Sequence, residues 1–169
     1  IVNVFIDKGQ EVVSTRGKVK DWDKIYRTTN SPVDTKTPLA ILVNSGSASA
    51  AEIVSGSLQD FDRGIVIGQR TFGKGLVQTT RPLAYNTQLK VTTAKYYIPS
   101  GRCIQALDYT HRNADGSVGK VPDSLMSEFK TKGGRKVYDG GGVNPDFVTS
   151  TLTYSSIAQI LSAKYLLFD

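Results

Sequence analysis

The strongest constraint on the fold is the succession of an apolar strand, a helix and a second apolar strand within one short stretch of the chain. Residues 38–44, Pro-Leu-Ala-Ile-Leu-Val-Asn, are apolar on both faces, as expected of a strand buried in an α/β sheet. A helix is predicted from the serines that follow to about Asp60, because apolar residues recur there at helical spacing. Residues 65–68, Ile-Val-Ile-Gly, predict the second strand. This order predicts a βαβ unit and an α/β fold with a mixed sheet.

The rest of the chain predicts more strand than helix. Segments rich in β-branched and aromatic residues are the predicted strands 11–16, 76–80 and 88–97. Residues 17–34 are polar and predict a loop with room for a short hairpin. Residues 108–136 predict a surface excursion with a short helix around 123–130. Apolar residues at helical spacing predict a terminal amphipathic helix over 155–167.

Composition and charge narrow the classes of function. A chain of 169 residues fits a single domain, and its apolar runs are far shorter than the ~20 residues of a membrane-spanning helix. The net charge of +6 is compatible with nucleic-acid binding. The basic residues are dispersed, however, and their small clusters at 18–24 and 130–136 lack the repeated aromatic residues of a single-strand binder. We therefore expect neither a nucleic-acid partner nor a membrane span in this chain.

The chain has one histidine and one cysteine. A Ser-His-Asp triad or a Cys-His dyad would have to use His111, which lies in the polar stretch 108–116 and is predicted to be a solvated loop residue. With Cys103 alone, neither an intrachain disulfide nor a cysteine-based zinc site can form. A serine nucleophile in this chain would therefore need a base other than histidine.

Ser49 occupies a favourable position for a nucleophile, between the first apolar strand and the start of the predicted helix. A helix N-terminus stabilises developing negative charge, and its free backbone N–H groups can contribute to an oxyanion hole. The same position equally suits a serine that only caps the helix. This segment alone leaves both interpretations open.

Lys74 is the candidate base. Gly73 and Gly75 flank it and allow a tight turn, and Phe72 and Leu76 supply apolar neighbours that we expect to exclude water. Such surroundings disfavour a charged ammonium group and so let a lysine act as a base.

Gln78 is placed to assist Lys74, because alternate residues of a strand share one face. A solvated turn lysine remains the alternative interpretation. A phosphate-binding loop is disfavoured, because the glycine spacing of a P-loop is absent.

Residues 44–78 together resemble the signature region of the carboxyl-terminal processing peptidases, also called tail-specific proteases. That family has Ser-Ala-Ser-Ala-Ser-Glu followed, at a fixed interval, by Gly-x-x-Thr-Phe-Gly-Lys-Gly-x-Val-Gln. Residues 47–52 match the first motif except at position 51, residues 68–78 match the second, and the interval is the same. The resemblance implies that Ser49 is the nucleophile, Lys74 the general base and Gln78 the residue that orients the lysine. It further implies that the N–H of Ala50 forms part of the oxyanion hole and that Glu52 has at most a supporting role. Ala51 stands where the family often has serine.

The resemblance extends through 92–105 and the Gly-Val-Asn-Pro-Asp segment at 142–146. The family's second oxyanion-hole N–H and its PDZ domain belong upstream of Ile1. The chain also opens without an initiator methionine or a signal sequence. We therefore expect residues 1–169 to be one domain, the C-terminal larger part of a catalytic domain from a longer protein.

The family implies a ClpP/crotonase-like fold of repeated ββα units around a mixed sheet, without a metal or cofactor. The implied activity is a serine endopeptidase that cleaves proteins near their C-termini through an acyl-enzyme, in the bacterial periplasm or cell envelope. The substrate is expected to lie extended beside a strand that the sequence does not identify, and a homo-oligomer remains open. The main alternative is a catalytically incomplete domain that only binds partners. A crotonase-like acyl-CoA enzyme is disfavoured, because no nucleotide-binding motif is present.

Overall fold

The computed structural model describes residues 1–151 and 154–164, whose strands form four sheets. The helices of this part of the chain are α1 (Val2–Phe5), α2 (Ala50–Asp60) and α3 (Ser156–Ala163), and 3-10 turns cover Lys20–Trp22 and Asp123–Leu125. The strands are β1 (Glu11–Gly17), β2 (Lys24–Arg27), β3 (Ala40–Val43), β4 (Ile65–Gly68), β5 (Leu76–Pro82), β6 (Gln88–Tyr97), β7 (Leu107–Arg112), β8 (Val118–Lys120), β9 (Glu128–Lys130), β10 (Lys136–Tyr138) and β11 (Phe147–Val148). The predicted mixed α/β class is confirmed.

The βαβ unit is present as predicted. Strands β3 and β4 are parallel, with Ala40 opposite Ile65 and Val43 opposite Gly68, and α2 makes the crossover between them. Strand β11 adds to the other side of β4, also in parallel. Asp146, just before β11, secures this arrangement, because its carboxylate accepts a 2.7 Å hydrogen bond from the backbone N–H of Val66.

The prediction that the first apolar strand is buried on both faces is wrong. Strand β3 lies at the edge of its sheet, and Leu42 is 79% exposed. Only the opposite face is covered, where Val43 and Val66 pack in a core cluster with Ile98, Ile104 and Val143. An apolar run indicates a strand but does not reveal whether a second layer covers it.

The second large sheet is antiparallel, in the order β2-β1-β6-β5. The segment 17–34 forms no hairpin of its own: it contains β2, which pairs with the preceding strand β1. Strand β5 begins directly after the Gly-Lys-Gly turn and pairs with β6 from Leu76 opposite Lys95 to Pro82 opposite Gln88. This sheet therefore carries the segment that contains Lys74.

Two predictions for the C-terminal half have different outcomes. The helix expected around 123–130 is wrong, because a 3-10 turn ends at Leu125 and the chain then extends into β9, which pairs with β10. The terminal helix is confirmed as α3, although 165–167 of the predicted range lie outside the described residues. None of the described helices is long and apolar enough to cross a membrane.

Candidate active site

The structure brings the serine segment and the lysine segment together. The backbone N–H of Phe72, two residues before Lys74, donates a 2.9 Å hydrogen bond to the carbonyl of Ser47, two residues before Ser49. The serine segment is itself tightly turned, because Asn44 accepts the N–H of Ser47 at its backbone carbonyl. The two motifs of the sequence therefore form one surface.

Ser49 has an unusual backbone conformation. It is the N-cap of α2, with φ 57° and ψ −116°. A positive φ costs a residue with a Cβ atom of the order of 1–3 kcal/mol and persists only where the surroundings impose it. Such strained turns between a strand and a helix are known to present nucleophiles in other hydrolases. The half-buried Ser49 is thus held in a conformation that a helix cap alone does not require.

The surroundings that impose this conformation centre on Glu52. Its side chain is fully buried and accepts four hydrogen bonds. One carboxylate oxygen, Oε2, accepts the backbone N–H groups of Ser49 at 2.9 Å and Lys74 at 2.8 Å. The other, Oε1, accepts the hydroxyl of Thr71 at 2.5 Å and the N–H of Gly73 at 2.7 Å. A single oxygen atom therefore connects the backbones of the candidate nucleophile and the candidate base.

No described cation forms an ion pair with Glu52, so hydrogen bonds and the helix must stabilise its charge. The residue lies in the first turn of α2, where the positive end of the helix dipole favours a carboxylate. Its four donors compensate for the lost water. The resemblance implied at most a supporting role for Glu52. The sequence did not reveal this network, because three of the four donors come from residues about 20 positions further along the chain.

The Gly-rich segment before β11 supports Glu52 from behind. Thr71 Oγ1 accepts a 2.7 Å hydrogen bond from the N–H of Val143, while the same hydroxyl donates to Glu52. Gly142 has φ +75°, and a Cβ atom there would lie 2.6 Å from Thr71 Oγ1 and 3.0 Å from Glu52 Oε1. The backbone can approach this closely only because the residue is glycine. The resemblance to the family includes this segment but implies no role for it in the site.

The Gly-Lys-Gly turn is held from its other side by the segment after Cys103. Gly73 has φ +86°, and a Cβ atom there would lie 2.3 Å from the Cβ of Ala106. The N–H of Gly75 donates a 2.8 Å hydrogen bond to the side-chain oxygen of the buried Gln105. Gln105 thus fixes the turn that carries Lys74, a contact that no local sequence pattern indicated.

The side chains of Lys74 and Gln78 both point into solvent. Phe72 is 54% exposed, so it does not provide the apolar surroundings expected around Lys74. Among the described residues, no hydrogen bond joins Ser49 Oγ to Lys74 Nζ, and none involves the side chain of Gln78. The structure therefore aligns the two backbones and leaves the lysine side chain unconstrained.

Ala50 opens α2, and its N–H donates to no acceptor within the part of the chain that the structure describes. It borders a groove of about 400 Å³ between β3 and α2, lined in part by Leu42 and Val54. A free N–H at a helix start is suited to donating a hydrogen bond to an anionic oxygen. The geometry of Ala50 is thus compatible with the oxyanion role that the resemblance implies.

No hydrogen bond in the described part of the chain joins His111 to Ser49 or Lys74. His111 is on β7 with its side chain 87% exposed, where its ring contacts the carboxylate of Asp108 at 2.7 Å. The described ranges contain no cluster of three or more His, Cys, Asp or Glu side chains that could hold a metal ion.

Comparison with known proteins identifies the family of this chain. The sequence profile of peptidase family S41 matches residues 1–112, and the chain belongs to that family. A carboxy-terminal-processing protease of Bartonella bacilliformis is 44% identical over 110 residues, which are 65% of this chain and 25% of that protein. A chloroplastic C-terminal processing peptidase of Tetradesmus obliquus is 39% identical over 102 residues, 60% of this chain and 21% of that protein.

A solved structure shows that the likeness extends beyond the matched sequence. A photosystem II D1 C-terminal processing protease superposes with a TM-score of 0.61 and 29% identity, over 88% of this chain and 29% of that one. This chain thus spans about a quarter of the length of the relatives that it matches.

Proposed function

We propose that this chain carries the nucleophile and the general base of a serine endopeptidase that cleaves proteins near their C-termini. The observation that carries the proposal is the bond of one Glu52 oxygen to the backbone N–H groups of both Ser49 and Lys74. A carboxylate buried without a cation is costly unless all its donors are in place. It therefore holds two motifs in one fixed relation, which a solvated turn lysine and a helix cap do not need.

The proposed chemistry is acyl transfer. Neutral Lys74 takes the proton of Ser49 Oγ as that oxygen attacks the peptide carbonyl, and the N–H of Ala50 donates to the resulting oxyanion. The protonated Lys74 then donates to the leaving amine as the C–N bond breaks. Water attacks the ester of Ser49 with Lys74 again as base, which releases the acid and restores the hydroxyl.

Glu52 and Gln78 are positioning residues in this proposal. Both Glu52 oxygens are occupied by donors from the protein, so neither is free to bind the Lys74 ammonium as a tight ion pair. Gln78 follows Lys74 at the start of β5 and lies in solvent with it. We expect its amide to orient the lysine amine once substrate covers both side chains.

The names of the relatives support the substrate class. The proteins from Bartonella bacilliformis and Tetradesmus obliquus are a carboxy-terminal-processing protease and a C-terminal processing peptidase. We accordingly propose protein C-termini as the substrates. From the resemblance of the two motifs we further propose an upstream PDZ domain in the longer protein that captures them, and a location in the bacterial cell envelope.

Labelling of the full-length protein with an active-site serine probe tests the proposal. We expect Ser49→Ala and Lys74→Ala to abolish labelling, with peptide cleavage reduced about 10³-fold or more. Ser45→Ala is the matched control, because Ser45 is an exposed serine of the same loop. Labelling that persists in Ser49→Ala would refute the assignment of the nucleophile.

A domain that only binds partners is the second candidate, and the exposed edge strand β3 with its exposed Leu42 favours it. An apolar strand edge is a template for pairing with another chain. The same probe distinguishes the two functions. Labelling of the full-length protein but not of residues 1–169 alone would show that this chain needs further segments to complete its site.

A further inference from the structure

Strand β5 is an edge strand whose free side begins at the candidate active site. It pairs only with β6 within the described ranges, and its first residue is the second one after Lys74. A strand edge presents unpaired backbone N–H and C=O groups that favour pairing with another extended chain.

The hydrogen bonds at the two ends of β5 show which of its residues present unpaired backbone groups. The carbonyl of Gly75 accepts the N–H of Tyr96, and the N–H of Leu83 donates to the carbonyl of Thr87, so both groups point toward β6. Backbone groups alternate along a strand, and the one irregularity of the pair adds a residue to β6 rather than to β5. The intervening set Leu76, Gln78, Thr80 and Pro82 therefore faces outward.

Proline at the last of these positions agrees with this assignment, because a residue without an N–H is tolerated at an outward edge position. The N–H and C=O groups of Leu76, Gln78 and Thr80 make no hydrogen bond outside the sheet among the residues that the structure describes. Three consecutive outward positions thus form an open edge next to Lys74.

A basic cleft of about 710 Å³ adjoins this edge. It lies between the antiparallel sheet and the β7–β8 hairpin, and the side chains of Leu76 and Gln78 line it. Its cations include Arg16 and Lys95, which are directly opposite each other on β1 and β6. Like charges in that relation destabilise a sheet, and no ion pair involves either residue in the described part of the chain.

Among the residues that the structure describes, the acidic residues of the cleft form no ion pair with these cations, and its lining has four basic residues against two acidic ones. Asp108 accepts hydrogen bonds from Thr110 and contacts His111, and Asp139 accepts the N–H of Ser127 at 2.7 Å. The cleft is therefore suited to an acidic group that comes from outside the protein.

We propose that an extended peptide substrate pairs with β5 through Leu76, Gln78 and Thr80 and places an acidic side chain against Lys95 in the adjoining cleft. The identity of this peptide as a substrate rests on the proposed protease function. A paired strand lies about 4.8 Å beyond β5 and so about 10 Å from β6, a distance that an acidic side chain and a lysine can bridge together.

The same pairing explains why the candidate base is exposed. A peptide on this edge begins beside Lys74 and removes water from it only when substrate is present. Substrate binding would thereby complete surroundings that Phe72 and Leu76 do not provide on their own.

The experiment measures binding to full-length Ser49→Ala protein by fluorescence anisotropy, with labelled acidic peptides methylated at one backbone nitrogen at a time. Pairing with an edge predicts a loss of about tenfold for methylation at every second position and little loss between them. Thr80→Pro removes one outward N–H, and we expect it to weaken binding about tenfold. Equal sensitivity at consecutive positions, or absence of binding, would overturn the proposal.

The charge of the cleft is tested with paired peptides that differ only by Glu or Gln. We expect about tenfold preference for Glu, lost in Lys95→Met and kept in Lys90→Met, an exposed lysine of the same strand that does not line the cleft. C-terminal amidation distinguishes a side-chain carboxylate from the terminal one. If amidation alone abolishes binding, the acidic side chain is the wrong group. Probe labelling of unsubstituted protein is independent of these results and decides the protease function separately.

Discussion

Helix α2 carries a buried carboxylate near each end, and the two are stabilised in different ways. Glu52, in the first turn, is 0% exposed and Asp60, the last residue, is 2% exposed. Glu52 binds three backbone N–H groups and a hydroxyl, without a described cation. Asp60 lies 2.9 Å from the guanidinium of Arg102, which is itself fully buried.

The position on the helix accounts for the difference. The N-terminal end of a helix is positive and favours Glu52, whereas the C-terminal end is negative and disfavours Asp60. Burial raises the pKa of Asp60, and the opposing charge of Arg102 offsets this only in part. A helix N-terminus can thus hold a buried carboxylate with neutral donors, while the other end needs a full counter-charge.

The consequence for the site is that Glu52 introduces no competing cation beside Lys74. If Glu52 were instead paired with an arginine, as Asp60 is with Arg102, that arginine would repel the Lys74 ammonium that forms during the proposed reaction. Arg102 instead stabilises the fold away from Lys74. It also donates a 2.8 Å hydrogen bond to the side-chain oxygen of Gln59, whose amide N–H donates to the carbonyl of Asn144.

The largest expected effect comes from breaking the Arg102 pair. We predict that Arg102→Met lowers the free energy of unfolding by about 3–5 kcal/mol, because it leaves Asp60 buried without its counter-charge. Urea denaturation measures it. The double variant Arg102→Met, Asp60→Asn should recover most of this loss. A single variant within about 1 kcal/mol of the parent would contradict the pairing.

The next effect is that of Glu52→Gln, which keeps the shape and removes the charge. We expect about 2–3 kcal/mol of destabilisation, since an amide N–H₂ would face backbone N–H donors. We also expect kcat to fall more than tenfold with KM less affected, because the serine segment and the lysine segment lose the carboxylate oxygen that binds both of their backbones.

Leu58→Ala is the control for stability alone. Leu58 packs with Val2 and Ile6 in a second core cluster that contains none of the residues hydrogen-bonded to Glu52, so the variant should destabilise without reducing kcat at low temperature. Equal losses of kcat in the two variants would assign Glu52 a purely structural role.

A smaller effect is predicted for Gly142→Ala, which acts on Glu52 from behind. Its Cβ would crowd Thr71 Oγ1, and we expect about 1–3 kcal/mol of destabilisation with slower labelling of Ser49. Gly116→Ala is matched in backbone, with φ +81°, but nothing lies within 4 Å of its Cβ. It should cost only the strain of the positive φ, about 1 kcal/mol, and leave labelling unchanged.

The smallest effect is a pH dependence specific to the Asp60 end. Because its pKa in the folded state is raised above the unfolded value, the folded state holds the proton more tightly. The resulting stabilisation is present at acid pH and is lost as pH rises through the folded pKa. We predict that the free energy of unfolding, relative to the double variant, declines from about pH 4 upward. An opposite slope would mean that Arg102 outweighs burial.

Much of the local structure was predictable from the sequence. The apolar strands and the helical spacing between them specified the βαβ unit, and cap rules placed the helix start within the serine-containing segment after the first strand. These features depend on residues a few positions apart. The helix expected at 123–130 was wrong because pairing of β9 with β10, a longer-range contact, outweighed local preference.

The sequence predicted which residues form the candidate site, but only part of how they are arranged. Two motifs suggested Ser49 and Lys74, yet the sequence predicted a lysine enclosed by Phe72 and Leu76, and the structure shows it exposed. Thr71, which binds Glu52, and Gln105, which holds the Gly-Lys-Gly turn, act through hydrogen bonds to distant parts of the chain. Such contacts leave no periodic signal in a single sequence.

The sequence by itself therefore determined the strand–helix–strand order and a helix start in the serine-containing segment, because both follow from local spacing and residue chemistry. The candidate dyad followed from the resemblance of two motifs to a family. Only the tertiary structure decided that one buried carboxylate joins the two motifs and that β3 and β5 are edges. Both depend on which distant segments pack together, and it is this packing that positions Glu52 between Ser49 and Lys74.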